Sequence, residues 1–287
     1  LTITSNHRYV LENSLGSLNG LTRSVFKAVL DGMLPRRKNP NHTVELAVSL
    51  VGPWCRGYYH WFSDYLLQLK GIEAFTELNG DKPKVIVPPN MPHWMESSLK
   101  LIGFNNTDLL KWTGDRVRVN RLVVPSLRRQ TEFTDYNKGF MFSPSAYKWL
   151  SSSLRDSVNT EISSSNRIYI SREKAAQRRV VNRNEVLAVL DEYGFEPYVL
   201  EDLSFKRQVA LLSDADAIVG PSGAGMVNMM YADDPIVITL FGSPVNACYP
   251  VMAESLGFDT GILLNQPRGL DMQVDTDRLS ELLDRML

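Results

Sequence analysis

Short apolar runs alternate with helical patterns along most of the chain. The run at 43–51 is mostly apolar and ends at Gly52 and Pro53, which predicts a buried strand. The next segment, 58–70, carries apolar residues three and four positions apart, which predicts a helix with one face in the core. Those apolar residues are Trp61, Phe62, Tyr65, Leu66 and Leu69. Further elements predicted in the first half are strands at 84–87 and 117–124 and helices at 94–102 and 144–158.

The alternation is sharper beyond residue 166. Predicted strands cover 167–171, 195–200, 217–220, 236–241 and 262–264, and predicted helices cover 183–193, 205–212, 224–231, 247–256 and 276–286. Repeated strand–helix units build parallel sheets, so the pattern predicts a doubly wound α/β fold. Asn182 with Glu185 three residues later predicts a capping box, and Gly194 is expected just past the end of the same helix.

The length of the chain indicates two domains. Its 287 residues exceed the roughly 100–200 that are typical of one domain. The polar stretch 159–166, Asn-Thr-Glu-Ile-Ser-Ser-Ser-Asn, has the composition of a linker. The sequence therefore predicts an N-terminal α/β domain over 1–160 and a C-terminal α/β domain over 161–287.

Composition and charge exclude several classes of protein. The hydrophobic fraction of 44% and the charged fraction of 22% are ordinary for a globular chain, which excludes a disordered or fibrous one. Since 32 acidic residues balance 31 basic ones, no overall field attracts nucleic acid, and any anion site must be local. No window reaches the ~20 continuous apolar residues of a membrane-spanning helix. We expect a cytoplasmic protein, with the inner membrane surface as an alternative, or a lumenal or secretory one if a leader preceded Leu1.

A basic loop follows the first predicted strand of the C-terminal half. Residues 170–179 read Ile-Ser-Arg-Glu-Lys-Ala-Ala-Gln-Arg-Arg. Arg172, Arg178 and Arg179 therefore follow a strand at the sheet edge where open α/β proteins bind ligands. Guanidinium groups there could clamp phosphate oxygens and neutralise a departing diphosphate. On charge alone, a solvated loop is the more ordinary interpretation.

A glycine-rich turn joins a later predicted strand to a helix, with the sequence Gly-Pro-Ser-Gly-Ala-Gly-Met-Val-Asn at 220–228. Glycines let a backbone approach phosphate closely, and a helix N-terminus offers it unpaired N–H groups. The turn half matches the fingerprint Gly-x-Gly-x-x-Gly, and no acidic residue stands about 20 positions on to hold a ribose, so a nicotinamide or flavin enzyme is not expected. The candidate ligand-binding residues of the turn are Ser222, Gly223, Ala224, Gly225 and Asn228.

His60 and Asp64 lie one turn apart on the predicted helix that follows the first strand. An imidazole or a carboxylate there could take the proton from an acceptor hydroxyl as it attacks an anomeric carbon. A polar helix face that hydrogen-bonds only within its own domain is an alternative of similar weight. The sequence leaves open which of the two side chains would be the base.

Two acidic pairs have a spacing that holds Mg²⁺ or Mn²⁺ in some transferases, Asp214 with Asp216 and Asp275 with Asp277. The first pair stands at the amino end of a predicted strand, opposite the ligand edge, and the second is expected to cap the last helix. No two of the four histidines are spaced as zinc ligands. We therefore expect no bound metal.

Taken together, the order and spacing of these segments resemble glycosyltransferase family 61, which includes protein O-linked N-acetylglucosaminyltransferases and plant cell-wall xylosyltransferases. Residues 57–64, Gly-Tyr-Tyr-His-Trp-Phe-Ser-Asp, are similar to the family's aromatic-His-Trp-x-x-Asp segment. Residues 167–182 are similar to its Ser-Arg and Arg-Arg-x-x-Asn block. The segments 194–196, 201–205 and 223–228 continue the pattern in the same order.

The resemblance implies a GT-B architecture, in which two Rossmann-like domains with parallel sheets face a central cleft. It also implies an inverting, metal-independent transfer from a nucleoside diphosphate sugar, with UDP expected, to a hydroxyl of a glycan, glycolipid or protein. The nucleotide-sugar is a co-substrate, and no cofactor is expected. The arginines of the basic loop and the glycine turn would hold the donor diphosphate, and Asp64 or His60 would be the catalytic base. The chain length is closer to that of microbial members that act on surface polysaccharides or glycolipids.

Two positions depart from the family pattern. Ser222 stands where relatives usually carry a histidine, which removes a group that could be cationic near neutral pH, and Thr239 stands where many have an acidic residue. These departures leave a second hypothesis, a non-catalytic protein that binds a nucleotide-sugar or a carbohydrate on the same scaffold. A nucleotide-sugar epimerase fits the sequence less well, because the fingerprint glycines and a suitably placed Tyr-x-x-x-Lys pair are missing.

Overall fold

The computed structural model describes residues 42–52, 54–114, 117–126, 129–130, 141–158 and 166–287. Contacts divide the chain into two compact units, 1–139 and 140–287. The predicted boundary between 160 and 161 lies outside the described residues and stays a prediction, as does the cleft that the resemblance implies. The sequence places the helix expected at 144–158 in the first domain. In the structure this helix belongs to the second unit.

The first unit contains a four-stranded parallel sheet in the order β3–β2–β1–β4. Its strands are β1 His42–Ser49, β2 Lys84–Val87, β3 Leu109–Lys111 and β4 Val117–Leu122, and a short strand β5 Arg129–Gln130 follows them. The order reverses beside β1, which pairs with both β2 and β4. Such a reversal opens a crevice at the carboxyl ends of the strands. The chain reaches this edge where it leaves β1.

The helix expected at 58–70 is longer and less regular than the apolar spacing predicts. Its parts are α1 Tyr58–His60, a π-helical turn Trp61–Tyr65, a 3-10 turn Leu66–Gln68 and α2 Leu69–Asn79. The predicted apolar face is buried except at Tyr65, which is half-buried. π-Helical turns are rare and occur frequently at functional sites. The helix expected at 94–102 is α3 His93–Leu101.

The second unit contains a five-stranded parallel sheet in the order β11–β10–β9–β7–β8. Its strands are β7 Arg167–Ile170, β8 Glu196–Tyr198, β9 Ala217–Pro221, β10 Ile236–Phe241 and β11 Thr260–Leu264, with a short β6 Met141–Phe142 before them. This confirms the predicted α/β fold with parallel strands. The order reverses beside β7, so the loops after β7 and β9 begin at one crevice.

Helices follow the strands of the second unit as the alternation predicts. They are α4 Pro144–Arg155, α5 Arg183–Glu192, α6 Phe205–Ser213, a 3-10 helix Ala224–Tyr231, α7 Cys248–Leu256 and α8 Thr276–Met286. The bounds of β10 and α8 match the prediction to the residue, because both have sharp apolar patterns. Asp275 caps α8, since its Oδ1 accepts the Arg278 N–H at 3.2 Å. None of the helices that the structure describes has the length and apolar composition needed to cross a membrane.

The capping box predicted at Asn182 does not form, because its side chain accepts no backbone N–H of the helix. Its Nδ2 donates instead to Oε2 of Glu185 at 2.9 Å and to the Val274 backbone. The Asn182 Oδ1 accepts the Val274 N–H at 2.9 Å, and Nδ2 donates to the Val274 carbonyl, also at 2.9 Å. Val274 follows a hairpin that the sequence did not predict, β12 Gln266–Arg268 and β13 Asp271–Gln273. Gly194 has a φ of +75°, the left-handed conformation expected of a glycine past a helix end.

Candidate active site

A small pocket opens at the carboxyl edge of the second sheet, where β7, β8 and β9 end. Its polar and glycine lining comes from Ser171, Arg172, Glu201, Gly223 and Gly225, and its apolar lining from Ile170, Leu200, Pro221 and Met226. The pocket therefore lies at the reversal of strand order, the position at which open α/β sheets bind ligands. Three of the residues predicted from the sequence, Arg172, Gly223 and Gly225, line it.

The guanidinium group of Arg172 packs directly against Gly223. A Cβ added to Gly223 would lie 2.6 Å from Cζ of Arg172 and 2.9 Å from its Nε, so no other residue fits there without displacing the arginine. Gly223 has a φ of −174°, which any residue can adopt, so space and not conformation requires glycine. The basic loop and the glycine turn, 50 residues apart in sequence, are thus in contact at the pocket.

Arg172 and Arg178 place two positive charges close together in this partly buried loop. Burial and, after it, the positive charge of Arg178 lower the pKa of Arg172, while Tyr249 and Glu201 act in the opposite direction. The Nε atoms of both arginines are buried, and neither has a hydrogen-bond partner among the described residues. A buried cationic donor without an acceptor is unfavourable. An anion that accepts hydrogen bonds from both groups would remove this penalty.

The β12–β13 hairpin holds the arginine loop in place. The Arg178 N–H donates to the Leu270 carbonyl at 2.7 Å, and the Met272 N–H donates to the Arg179 carbonyl at 2.9 Å. Arg178 has a φ of +60°, a left-handed conformation that costs a non-glycine residue about 1–3 kcal/mol and is common at functional sites. The hairpin therefore fixes a loop conformation that the loop alone would avoid.

Arg179 is bound to the hairpin and does not line the pocket. Its Nε and Nη2 donate to Oδ2 of Asp271 at 3.0 and 2.7 Å, and its backbone N–H donates to Oδ1 at 2.9 Å. The hydrogen bonds from Arg179 hold the pKa of Asp271 below its ordinary value. This pairing favours a role for Arg179 in positioning the loop, and its predicted contact with a diphosphate stays a prediction.

The other three candidate residues of the glycine turn, Ser222, Ala224 and Asn228, do not line the pocket. The buried Ser222 donates its N–H to the Leu240 carbonyl at 2.8 Å, which extends the β9–β10 pairing. The fully buried Asn228 donates from Nδ2 to Oε1 of Gln208 at 3.2 Å. Ala224 begins the 3-10 helix and is half-buried. The predicted ligand contacts of Ser222, Ala224 and Asn228 therefore stay predictions.

Thr239, the second departure from the family pattern, is paired with Gly220 in the β9–β10 ladder. Its side chain is fully buried, and its Oγ1 has no hydrogen-bond partner among the described residues. The strand position next to Gly220 is therefore occupied by the neutral hydroxyl group of Thr239. Neither Ser222 nor Thr239 brings a charge to the turn, so the charged side chains at the pocket come from the loops after β7 and β8.

In the first unit, His60 and Asp64 form a hydrogen-bonded pair, with 2.7 Å between Nδ1 and Oδ2. Their side chains are 24% and 18% exposed, so both are accessible but partly shielded from water. His60 precedes the π-helical turn and Asp64 lies within it, and the Gln68 side chain donates to the Asp64 carbonyl at 2.7 Å. A carboxylate on Nδ1 favours the tautomer with the proton there, which leaves Nε2 as the nitrogen that can accept a proton.

Sequence reasoning missed two residues beside these groups. Trp54 is 61% exposed, has a φ of +59° and stacks on the His60 ring with 5.4 Å between centroids. Glu201 lines the pocket together with Arg172. The signals available in the sequence were a tryptophan shortly before a candidate base and an acidic residue directly after a predicted strand.

The acidic pairs considered as metal ligands do not converge. Asp275 caps α8, and Asp216 accepts a hydrogen bond from the Asn166 side chain at 3.1 Å. Within the part of the chain that the structure describes, no three His, Cys, Asp or Glu side chains form a group that could hold a metal ion. The cationic side chain that lines the pocket is Arg172.

Comparison with known proteins places these features in one family pattern. The Glycosyltransferase 61 family model matches residues 58–239, which is more than half of the chain. The matched region includes the His60–Asp64 pair, the arginine loop and the glycine turn. The search of curated proteins finds no match.

Proposed function

The chain belongs to glycosyltransferase family 61 and is a glycosyltransferase, and from this premise we propose that it is an inverting, metal-independent enzyme. Its donor is a nucleoside diphosphate sugar, with UDP the expected nucleotide, and its acceptor is a hydroxyl of a glycan, glycolipid or protein. One observation carries the proposal: Arg172 lines a pocket against the glycine turn, and its buried Nε, like that of Arg178, has no hydrogen-bond partner among the described residues.

The donor diphosphate binds to the arginine loop. Charge-assisted hydrogen bonds from a guanidinium group to phosphate are strong and directional, and an arginine stays protonated at every physiological pH. As the bond between the sugar and the β-phosphate breaks, negative charge builds up on the departing diphosphate. Arg172 and Arg178 stabilise that charge, which is the role of a divalent cation in other transferases.

The catalytic base is the His60–Asp64 pair. The acceptor oxygen attacks the anomeric carbon from the face opposite the leaving group, and the bonding electrons leave with the nucleoside diphosphate. The hydroxyl proton passes to Nε2 of His60, and the Asp64 carboxylate holds the ring and stabilises the imidazolium that forms. A single displacement of this kind inverts the configuration of the anomeric carbon.

Nucleotide release from a panel of donors tests the proposal. The protein is incubated with UDP-, GDP- and CMP-sugars, with and without EDTA, and the phosphorus NMR spectrum is followed. We expect release of one nucleoside diphosphate, unchanged by EDTA and lost in Arg172→Ala. Release of no nucleotide from any donor, or release abolished by EDTA, contradicts the proposal.

The second hypothesis, a non-catalytic binding protein, is favoured by the two neutral positions Ser222 and Thr239. It predicts that a nucleotide-sugar binds but that no sugar is transferred or hydrolysed. The His60 variants separate the two functions, because a binding protein retains all of its measurable function in His60→Ala. A transferase loses turnover in the same variant while it still binds the donor.

A further inference from the structure

Glu201 brings a negative charge to the pocket that holds Arg172. It follows β8 by three residues, and β8 is the neighbour of β7 in the sheet. Because the two strands are parallel, the chain leaves both at the same edge, and Glu201 lines the pocket together with Arg172 and Gly223. The pocket therefore has a cationic side and an acidic side.

The turn that carries Glu201 is anchored from both sides. The Gln208 Nε2 donates to the Leu200 carbonyl at 2.8 Å and to the Leu203 carbonyl at 3.2 Å. The Gln208 Oε1 in turn accepts from Asn228, which lies in the helix of the glycine turn. The backbone of Glu201 is thus held at a fixed position relative to the glycine turn.

The two acidic residues of this turn differ in their surroundings. Asp202 is bound to Lys174, with 2.5 Å between Oδ1 and Nζ. Glu201 forms no ion pair and no side-chain hydrogen bond with any residue that the structure describes. Its charge raises the pKa of Arg172 without a direct bond to that group. Glu201 is therefore available to a ligand, whereas Asp202 is already paired.

A carboxylate beside a diphosphate site is unfavourable unless it binds another part of the same ligand, because like charges repel at short range. The partner must be a neutral donor of hydrogen bonds attached close to the phosphates. The vicinal 2′- and 3′-hydroxyls of a ribose meet both requirements and can donate to the two oxygens of one carboxylate. In other α/β nucleotide sites an acidic residue at the end of the second strand has this role.

We propose that the Glu201 carboxylate binds the ribose diol of the donor nucleotide, while Arg172 binds its diphosphate. The inference rests on the proposed function, since it assumes that the pocket takes a nucleoside diphosphate. β8 is the second strand of this sheet along the chain, and Glu201 follows it by three residues. Glu201 precedes Gly223 of the glycine turn by 22 residues, so a search for an acidic residue about 20 positions after the fingerprint glycines does not find it.

Calorimetric titration with paired nucleotides tests this role. UDP is compared with 2′-deoxy-UDP, and GDP with 2′-deoxy-GDP, on the wild-type protein, Glu201→Ala and Asp202→Ala. We expect the wild type to bind the ribose form about tenfold more tightly than the deoxy form, as for one lost hydrogen bond to a charged group. Glu201→Ala should bind both forms with similar affinity, and the Asp202→Ala control should retain the discrimination.

The outcomes separate this inference from the function on which it rests. If the wild type binds a nucleoside diphosphate without distinguishing the deoxy form, or if Glu201→Ala keeps the discrimination, the ribose assignment is wrong and the donor site stands. If Glu201→Ala weakens binding of a UDP-sugar but not of UDP, the carboxylate contacts the sugar, which also overturns it. If the wild type binds no nucleoside diphosphate, the proposed function and this inference fail together.

Discussion

The two units place different chemistry at the same position of similar sheets. In each, the strand order reverses beside the strand of the parallel sheet that comes first along the chain, β1 or β7, and the candidate residues follow that strand. In the first unit they are an imidazole and a carboxylate that satisfy each other at 2.7 Å. In the second unit they are two guanidinium groups whose Nε atoms have no acceptor among the described residues.

This difference shows what each site can do before a ligand arrives. The His60–Asp64 pair is complete in itself, so it can orient a ring nitrogen without a ligand. The arginine loop is electrostatically incomplete, because Arg172 and Arg178 repel each other until an anion binds. Similar topology therefore supports proton transfer in one unit and anion binding in the other, and the loops decide which.

Removal of the imidazole should have the largest effect and should sharpen this contrast. We expect His60→Ala to lower kcat by roughly 10²- to 10⁴-fold, the usual contribution of a general base, with the affinity for UDP unchanged. Added imidazole should restore part of the activity in this variant and none in Asp64→Ala, where the ring remains.

Steady-state kinetics and calorimetry on the same preparations check this split. His93→Ala is the matched control, because His93 is an exposed histidine of the same unit. A kcat near that of the wild type in His60→Ala, or a loss of UDP affinity in it, would contradict the division of roles.

A methyl group at the glycine turn should have a smaller effect than the loss of the imidazole. In Gly223→Ala the new Cβ would clash with the Arg172 guanidinium, so the arginine must move from the pocket. We expect about a tenfold loss of UDP affinity, the scale of one charge-assisted hydrogen bond.

Calorimetry on the single and double variants tests whether displacement of Arg172 causes this loss. In an Arg172→Ala background the same glycine change should have little further effect, and full additivity would break the link between the two motifs.

Regular elements were predictable from the sequence where the apolar pattern was strong. The bounds of β10 and α8 follow directly from a continuous apolar run and from a helical stripe. The π-helical turn at His60 and the β12–β13 hairpin were not, since a π turn leaves little trace in apolar spacing and the hairpin strands have three residues each.

Part of the site was also predictable, because the strands that precede its loops have strong apolar patterns. Arg172 and Gly223 are in contact because they follow the neighbouring parallel strands β7 and β9 at the same sheet edge. The repeated strand–helix pattern of the sequence suggests that both lie at this edge. The partner of Arg179 is Asp271, 92 residues away, and nothing in the local pattern of either segment indicates that pairing. The Asn182 side chain likewise bonds Val274, 92 residues away, in addition to Glu185 of its own helix. Long-range hydrogen bonds therefore decided which arginines remain available to a ligand.

Loss of the Arg179–Asp271 pair should have the smallest effect. Both Arg179→Ala and Asp271→Asn loosen the loop without removing a group from the pocket, so we expect UDP affinity to fall by at most about fivefold, as for an exposed ion pair. Arg268→Ala, on the same hairpin, is the control. Because Arg179 lowers the pKa of Asp271, this contribution is present at neutral pH and is lost as the pH falls through that pKa. A loss as large as that of Arg172→Ala would place Arg179 on the phosphates.

The affinity of Arg172→Ala for UDP tests the central claim most directly. Calorimetric titration of the wild type and of this variant with UDP and with uridine isolates the contribution of the diphosphate. If Arg172 holds the diphosphate, the variant loses about 1.5–3 kcal/mol of UDP binding, or roughly 10- to 150-fold in Kd, and its weak affinity for uridine is unchanged. An unchanged Kd for UDP would contradict the account.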